Sequence, residues 1–232
     1  MNQSLNLPDR LMAIAGYINK DATVADIGTD HGLLPAYLAQ NGLARDIIAT
    51  DVSAQSLESA HRTAEKYGVA HLITFIVAQG LEGIGRKAAD TIVISGLGGE
   101  TIAGILRDAP WTKKNDISMV LQPQTKTAEL CRWLRESDYN IRDARVALEN
   151  DRYYVVILVK GGKSESILEP ELEMLARLMF NRDPHFPGYL GDLISRTRKA
   201  LDGMKNSAAP DVLNMALRLA IYSGLKDEYE KS

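Results

Sequence analysis

The stretch that most constrains this chain is Val24-Ala25-Asp26-Ile27-Gly28-Thr29-Asp30-His31-Gly32-Leu33-Leu34-Pro35. An apolar run closes on a carboxylate, glycines permit a tight turn, and a second apolar run begins at helical spacing. That order reads strand, turn, helix, the usual cradle of a nucleoside-containing cofactor. The plainer reading is an ordinary strand–turn–helix unit carrying two solvated acids.

The rest of the chain repeats the unit. Strands are expected at 23–28, 46–51, 72–77, 90–95 and 117–121, with helices at 7–15, 33–41, 53–68, 99–107 and 125–137. The alternation demands a parallel sheet with helices on both faces. Two extended runs follow without a helix between them, 139–148 and 152–160, joined by the turn-prone Glu149-Asn150-Asp151. Parallel strands closed by an antiparallel hairpin form an α/β layout similar to the Rossmann-like sheet of class I methyltransferases. Gly161-Gly162-Lys163-Ser164 reads as a linker. Beyond it only helical periodicity remains, interrupted at 181–188 and 206–210, which predicts a small C-terminal helical, coiled-coil-like domain. The expected division is 1–163 and 164–232.

Charge selects the class of cofactor. A dinucleotide needs backbone N–H groups gathered on a pyrophosphate, and Gly28…Gly32 lacks the G-x-G-x-x-G spacing. Asp30 stands inside the turn, where it would repel a phosphate by about 1 kcal/mol in bulk water at contact and more when shielded. S-adenosylmethionine carries no phosphate and offers a sulfonium, an ammonium and ribose hydroxyls, so it is the expected cofactor and a nicotinamide oxidoreductase is disfavoured. Asp51, with Val52 after it, closes the next apolar run about twenty residues on, the position from which a carboxylate binds ribose hydroxyls.

Other candidates lie at the same strand ends. Ser95, Gly96, Leu97 and Gly98 end the fourth strand, where open α/β sheets place ligands. Gln79, Gly80 and Leu81 follow the third and could reach an adenine ring. Gln122 and Pro123 end the fifth, and Arg10 lies on the first helix, which borders the substrate mouth in such folds. Against these stand plain turns, a strand exit fixed by proline, and a solvated helix start. His61, His71 and His185 lack metal-ligand spacing, and a single cysteine, Cys131, excludes an internal disulfide or a cysteine-based metal site, so no metal is expected. No G-x-S-x-G elbow of a hydrolase occurs. The net charge of −3 argues against non-specific coating of nucleic acid while allowing local basic patches. With no secretion signal and no membrane-length apolar run, no membrane association is expected and the cytoplasm is the default.

Taken together, Arg10-Leu11, residues 25–35, Gly96-Leu97-Gly98-Gly99, Leu121-Gln122-Pro123 and Tyr153-Tyr154 resemble the bacterial TrmK family. Its members are tRNA methyltransferases acting on N1 of adenine 22. The resemblance spans 7–160 and matches the helical tail in placement and type only. It implies cofactor contacts through Asp26, Gly28, Thr29, Asp30 and His31, a ribose contact at the second-strand acid, adenine contacts near Gln79-Gly80-Leu81, and tRNA as partner. Three departures stand out: Ala78-Gln79 where the family has Gly-Asp, Leu97 for methionine, and Asp51 where members often show Glu. With N1 as nucleophile, its in-plane lone pair attacks directly and the product is a cation, so alignment dominates, at roughly 7–11 kcal/mol. Asp30 and Asp26 are then candidates for stabilising the developing charge. N1 of a paired adenine is buried, so the base must be unpaired or flipped. The tail is the candidate for gripping tRNA, with Arg196, Arg198 and Lys199 as phosphate contacts. Methylation of a small molecule or protein, and a non-catalytic nucleotide-binding scaffold, stay open as alternatives. Nothing in the sequence sets an oligomeric state.

Overall fold

The computed structural model describes residues 4–85, 88–114, 116–204 and 208–231. Seven strands form one sheet: β1 (Ala22–Ile27), β2 (Ala44–Asp51), β3 (Ile73–Val77), β4 (Thr91–Gly98), β5 (Ser118–Thr125), β6 (Tyr139–Glu149) and β7 (Arg152–Gly161). Their order is β3-β2-β1-β4-β5-β7-β6, with β1 to β5 parallel and both pairings of β7 antiparallel. The chain reverses strand order between β1 and β4, which opens a crevice at the C-terminal ends of those strands.

Alternation along the central strands divides the core. Ala25, Ile27, Ile92, Ile94, Met119 and Leu121 face one side, under α4 (Gly99–Asp108) and α5 (Thr127–Glu136). Val24, Ala49, Val93, Val120 and Val156 face the other, under α1 (Asp9–Ala15), α2 (Leu33–Gln40) and α3 (Ala54–Lys66). Each fully buried aliphatic side chain contributes roughly 1.5–3 kcal/mol, so both layers are needed. Ser53 caps α3 by accepting the Ser56 N–H at 3.2 Å, as a serine before a periodic run predicts.

Three expectations are corrected. The fourth and fifth strands extend to Gly98 and Thr125 instead of stopping at 95 and 121, because Gly96, at φ +77°, bulges and lets Leu97 and Gly98 resume pairing with Pro123 and Thr125. Gly161 belongs to β7, opposite Tyr139, and not to a linker; a Cβ there would fall 1.8 Å from the Lys113 carbonyl oxygen, so only glycine passes this crossing. The sixth and seventh helices, α6 (Pro170–Phe180) and α7 (Phe186–Gly203), are separated by less than the expected 181–188, since Pro187 sits in the first turn of α7. Within the interruption expected at 206–210, residues 206 and 207 lie outside the described residues.

The tail is continuous with the sheet's core. Met174, Leu175 and Leu178 of α6 and Phe186, Tyr189 and Leu190 of α7 are buried in the same cluster as Ile92 and Met119. Farther along, α7 and α8 (Ala209–Lys231) run as an antiparallel pair, with the Phe186 ring edge-on to Tyr229 at 5.4 Å. Tyr222 is the buried residue of α8, and its hydroxyl donates to Glu171 at 2.8 Å.

Candidate functional site

The turn after β1 is built from its own hydrogen bonds. The Gly28 and Thr29 N–H groups both donate to the Thr50 carbonyl at 2.9 Å, and the Gly32 N–H donates to the Thr29 carbonyl at 2.9 Å. The Asp30 N–H donates to Asp51 Oδ2 at 3.2 Å, while Asp51 Oδ1 accepts the Ser53 N–H at 2.9 Å. Asp51 therefore ties the β1 and β2 turns together. Gly28, Asp30 and Gly32 all adopt positive φ, and a Cβ on Gly32 would fall 2.6 Å from that of Ala60. Four of the turn's amides are committed inward, so the nest of free donors that a pyrophosphate requires does not exist here.

Around this turn lies a cavity of about 750 Å³, within the range of small-molecule sites. It collects Arg10, Asp26, Gly28, Thr29, Asp30, His31, Asp51, Val52, Gln79, Gly80, Leu81, Ser95, Gly96 and Leu97 from the residues singled out in the sequence. Among the described residues five carboxylates line it, those of Asp26, Asp30, Asp51, Glu82 and Asp108, against the guanidinium of Arg10 and the imidazole of His31. Such a wall favours a cationic nucleoside without phosphate.

Asp26 is the buried acid of the set. Its carboxylate accepts the Thr29 hydroxyl at 2.7 Å. Burial pushes its pKa up to about 6, with Asp51 adding to the rise and the Thr29 hydrogen bond and the Arg10 charge opposing it. Asp30 and His31 are exposed at the rim, His31 Nδ1 lying 3.0 Å from the Ser59 hydroxyl.

Several sequence candidates lie elsewhere. Gly98 stands at the N-terminal cap of α4. Gln122 is fully buried and works inside the protein: its Oε1 accepts the Gly96 N–H at 3.1 Å and an Arg10 guanidinium N–H at 3.5 Å, and its Nε2 donates to the Pro123 carbonyl at 2.9 Å. It thereby holds the β4 bulge against α1. Pro123 and Arg196 line a second groove of about 600 Å³ with Lys126, Arg152 and Tyr153, and Arg196 pairs with Asp192. Arg198 and Lys199 are exposed on α7 outside both cavities.

Sequence reasoning missed the α4 wall, made by Thr101, Gly104, Ile105 and Asp108, with Trp111 beyond it. The signal was present: those four positions share one helical face just after the Gly98-Gly99 turn. Among the described residues, no group of three or more His, Cys, Asp or Glu side chains is placed to hold a metal.

A doubly wound parallel sheet closed by a reversed hairpin, with an acidic, phosphate-averse pocket at its switch point, defines a methyltransferase of the Rossmann-like class. Residues 7–157 match the family model described as methyltransferase domain. The tRNA (adenine(22)-N(1))-methyltransferase of Bacillus subtilis is 34% identical over 166 residues, 72% of this chain and 69% of that protein. The crystal structure of the B. subtilis m1A22 tRNA methyltransferase TrmK superposes with a TM-score of 0.79 at 26% identity, covering 96% of this chain and 99% of that one. The structure of M. capricolum TrmK in complex with S-adenosyl-homocysteine gives 0.77 at 30% identity, covering 95% and 98%. The chain belongs to the TrmK family.

Proposed function

We infer that this protein is a tRNA methyltransferase that uses S-adenosylmethionine to methylate N1 of adenine 22. The observation that carries the cofactor half is the β1 turn, whose amides are spent internally beneath a wall of carboxylates. Family membership carries the tRNA half. When bound, S-adenosylmethionine supplies an electrophilic methyl group on a sulfonium.

The remaining work falls to the chain's own residues. Asp51 and Val52 take the ribose, Gln79, Gly80 and Leu81 the adenine edge, and Asp26, Gly28, Thr29, Asp30, His31 and Ser95 to Gly98 enclose the methionine portion. Position 79 meets the adenine with an amide where the family pattern has a carboxylate. Asp26 and Asp30 act electrostatically: a carboxylate near the acceptor ring favours the charge that the ring gains as N1 forms its bond. No general base is required, because N1 attacks through a lone pair and loses no proton. Arg10, Gln122 and Pro123 border the acceptor side, Gln122 from behind. Residues 1–163 form the catalytic part and 164–232 the part that grips tRNA, with Arg196, Arg198 and Lys199 toward phosphates. The reading places the protein in the cytoplasm with its substrate; no helix among the described residues is long and apolar enough to cross a membrane.

Labelled methyl transfer to unmodified tRNA, set beside protein and small-molecule pools, tests the reading, and mapping the modified nucleotide completes it. Label in 1-methyladenine at position 22 is expected; label confined to another pool overturns the assignment. Asp26→Ala and Asp30→Ala with near-normal transfer and unchanged cofactor affinity would remove the acids from the account.

A further inference from the structure

We propose that Tyr154 is the ring on which the acceptor base lies, and that its electron-rich face stabilises the positive charge the base acquires; the inference rests on the adenine-N1 reading above. Six cation–ring stacks occur among the described residues, and Arg10 over Tyr154, at 5.7 Å, is the one whose cation also lines the cofactor cavity. The ring itself lines the second groove, so a planar, delocalised cation already rests on it where that groove meets the cofactor cavity.

The position follows from the strand register. β5 and β7 pair as Leu121↔Ile157, and continuing that antiparallel register puts Tyr154 level with Gln124, at the C-terminal edge where the cofactor loops lie. The neighbouring Tyr153 is spent on packing: its hydroxyl fills the space a Cβ on Gly188 of α7 would need. Tyr154 is half-buried, and its hydroxyl has no hydrogen-bond partner among the described residues, so its face is what it offers. Arg10 is held from two sides, its N–H donating to Glu149 at 3.2 Å and its guanidinium to Gln122 at 3.5 Å.

The chemistry matches the seat. As the N1 lone pair forms the new N–CH3 bond, the C–S bond breaks and its electron pair leaves with sulfur, which becomes a neutral thioether. The positive charge passes to the purine and no proton is released. The product is thus a flat cation of the kind the ring now holds as guanidinium. A ring quadrupole attracts such a cation more than the neutral substrate, so it acts in the transition state as well as in binding. Stacking on the ring, on the groove side that Arg10 leaves open, positions the flipped base.

The test is a substitution series at 154 in the full chain. Tyr154→Phe should keep methyl transfer to tRNA, and Tyr154→Leu, apolar but without the ring, should lower kcat about tenfold with cofactor affinity unchanged. Phenylalanines carrying one, two and three ring fluorines, which drain the quadrupole without changing shape, should lower kcat in even logarithmic steps. A second readout needs no turnover: the preference for a tRNA transcript bearing 1-methyladenine over adenine at position 22, as a ratio of Kd values, should shrink along the same series. Wild-type protein that leaves adenine N1 unmodified overturns the adenine reading. Wild-type protein that methylates N1, with a flat fluorine series and full activity in Tyr154→Leu, overturns the role of Tyr154 alone.

Discussion

At the scale of single residues, the site is organised by one buried acid and one crowded glycine. The Asp26 carboxyl, moved from 3.8 to about 6 chiefly by burial, binds its proton more tightly folded than unfolded. The folded state is therefore favoured below pH 4, and that advantage is lost as pH rises through about 6, a difference on the order of 3 kcal/mol. Asp26→Asn should accordingly stabilise the cofactor-free protein at pH 8 and change it little at pH 4, read from urea unfolding at the two pH values. A cationic cofactor reverses the preference, since it favours the ionised carboxylate. Its affinity for wild-type protein should weaken as pH falls below about 6, and in Asp26→Asn it should be weaker and flat over the same range, by calorimetry. Gly32→Ala combines positive φ with a Cβ 2.6 Å from that of Ala60, and α2 and α3 must part to admit it. Strain and overpacking together give a loss of about 2–4 kcal/mol, visible as a lower urea midpoint.

At the scale of elements, the sequence was most legible where local chemistry and fold agree. The Asp26–Gly32 turn, the Ser53 cap and the Glu149-Asn150-Asp151 hairpin all declare themselves through residues that suit a single conformation. The β4 bulge did not, because Gly96 looked like a strand end; the resumed pairing of Leu97 and Gly98 depends on β5 and on the buried Gln122 side chain, both distant in sequence. Gln122 reads in the sequence as a ligand-facing residue and stands in the structure as an internal brace, since a polar side chain at a strand end reads the same whether it faces a ligand or three partners within the fold. The α4 wall was hidden differently: Thr101, Gly104 and Asp108 are ordinary helix-surface residues whose meaning comes from the cavity opposite them. Gly104 makes the point testable, because it lines that cavity and, its own helix backbone apart, no atom of the described residues lies within 4 Å of where its Cβ would stand. Gly104→Leu should fold at least as well as wild type, leucine being the better helix former by somewhat under 1 kcal/mol, and should abolish cofactor binding by filling the pocket. Calorimetry beside a thermal melt separates the two effects.

At the scale of the whole molecule, the helical tail has two jobs that a truncation would confuse. Removing everything after 163 takes Met174, Leu175, Leu178, Phe186, Tyr189 and Leu190 out of the sheet's core. At roughly 1.5–3 kcal/mol each, that loss rivals the total stability of a domain, so the remnant should fail to fold whatever the tail does for tRNA. The Glu171 carboxylate on α6, nearly buried and held by the Tyr222 hydroxyl and the Arg218 guanidinium, ties α8 to the same layer, so even a shorter cut leaves a buried charge unpaired. Surface charge offers the cleaner probe. Arg196, Arg198 and Lys199 are exposed on α7, so reversing all three to glutamate leaves the core intact. If each meets a phosphate, tRNA affinity should fall, and the slope of log K against log salt should shallow by about one for every phosphate no longer neutralised. Cofactor affinity should stay unchanged, because these residues stand outside the pocket that Asp26 and Asp51 border. An unchanged salt slope in the triple variant would move the tRNA grip off α7.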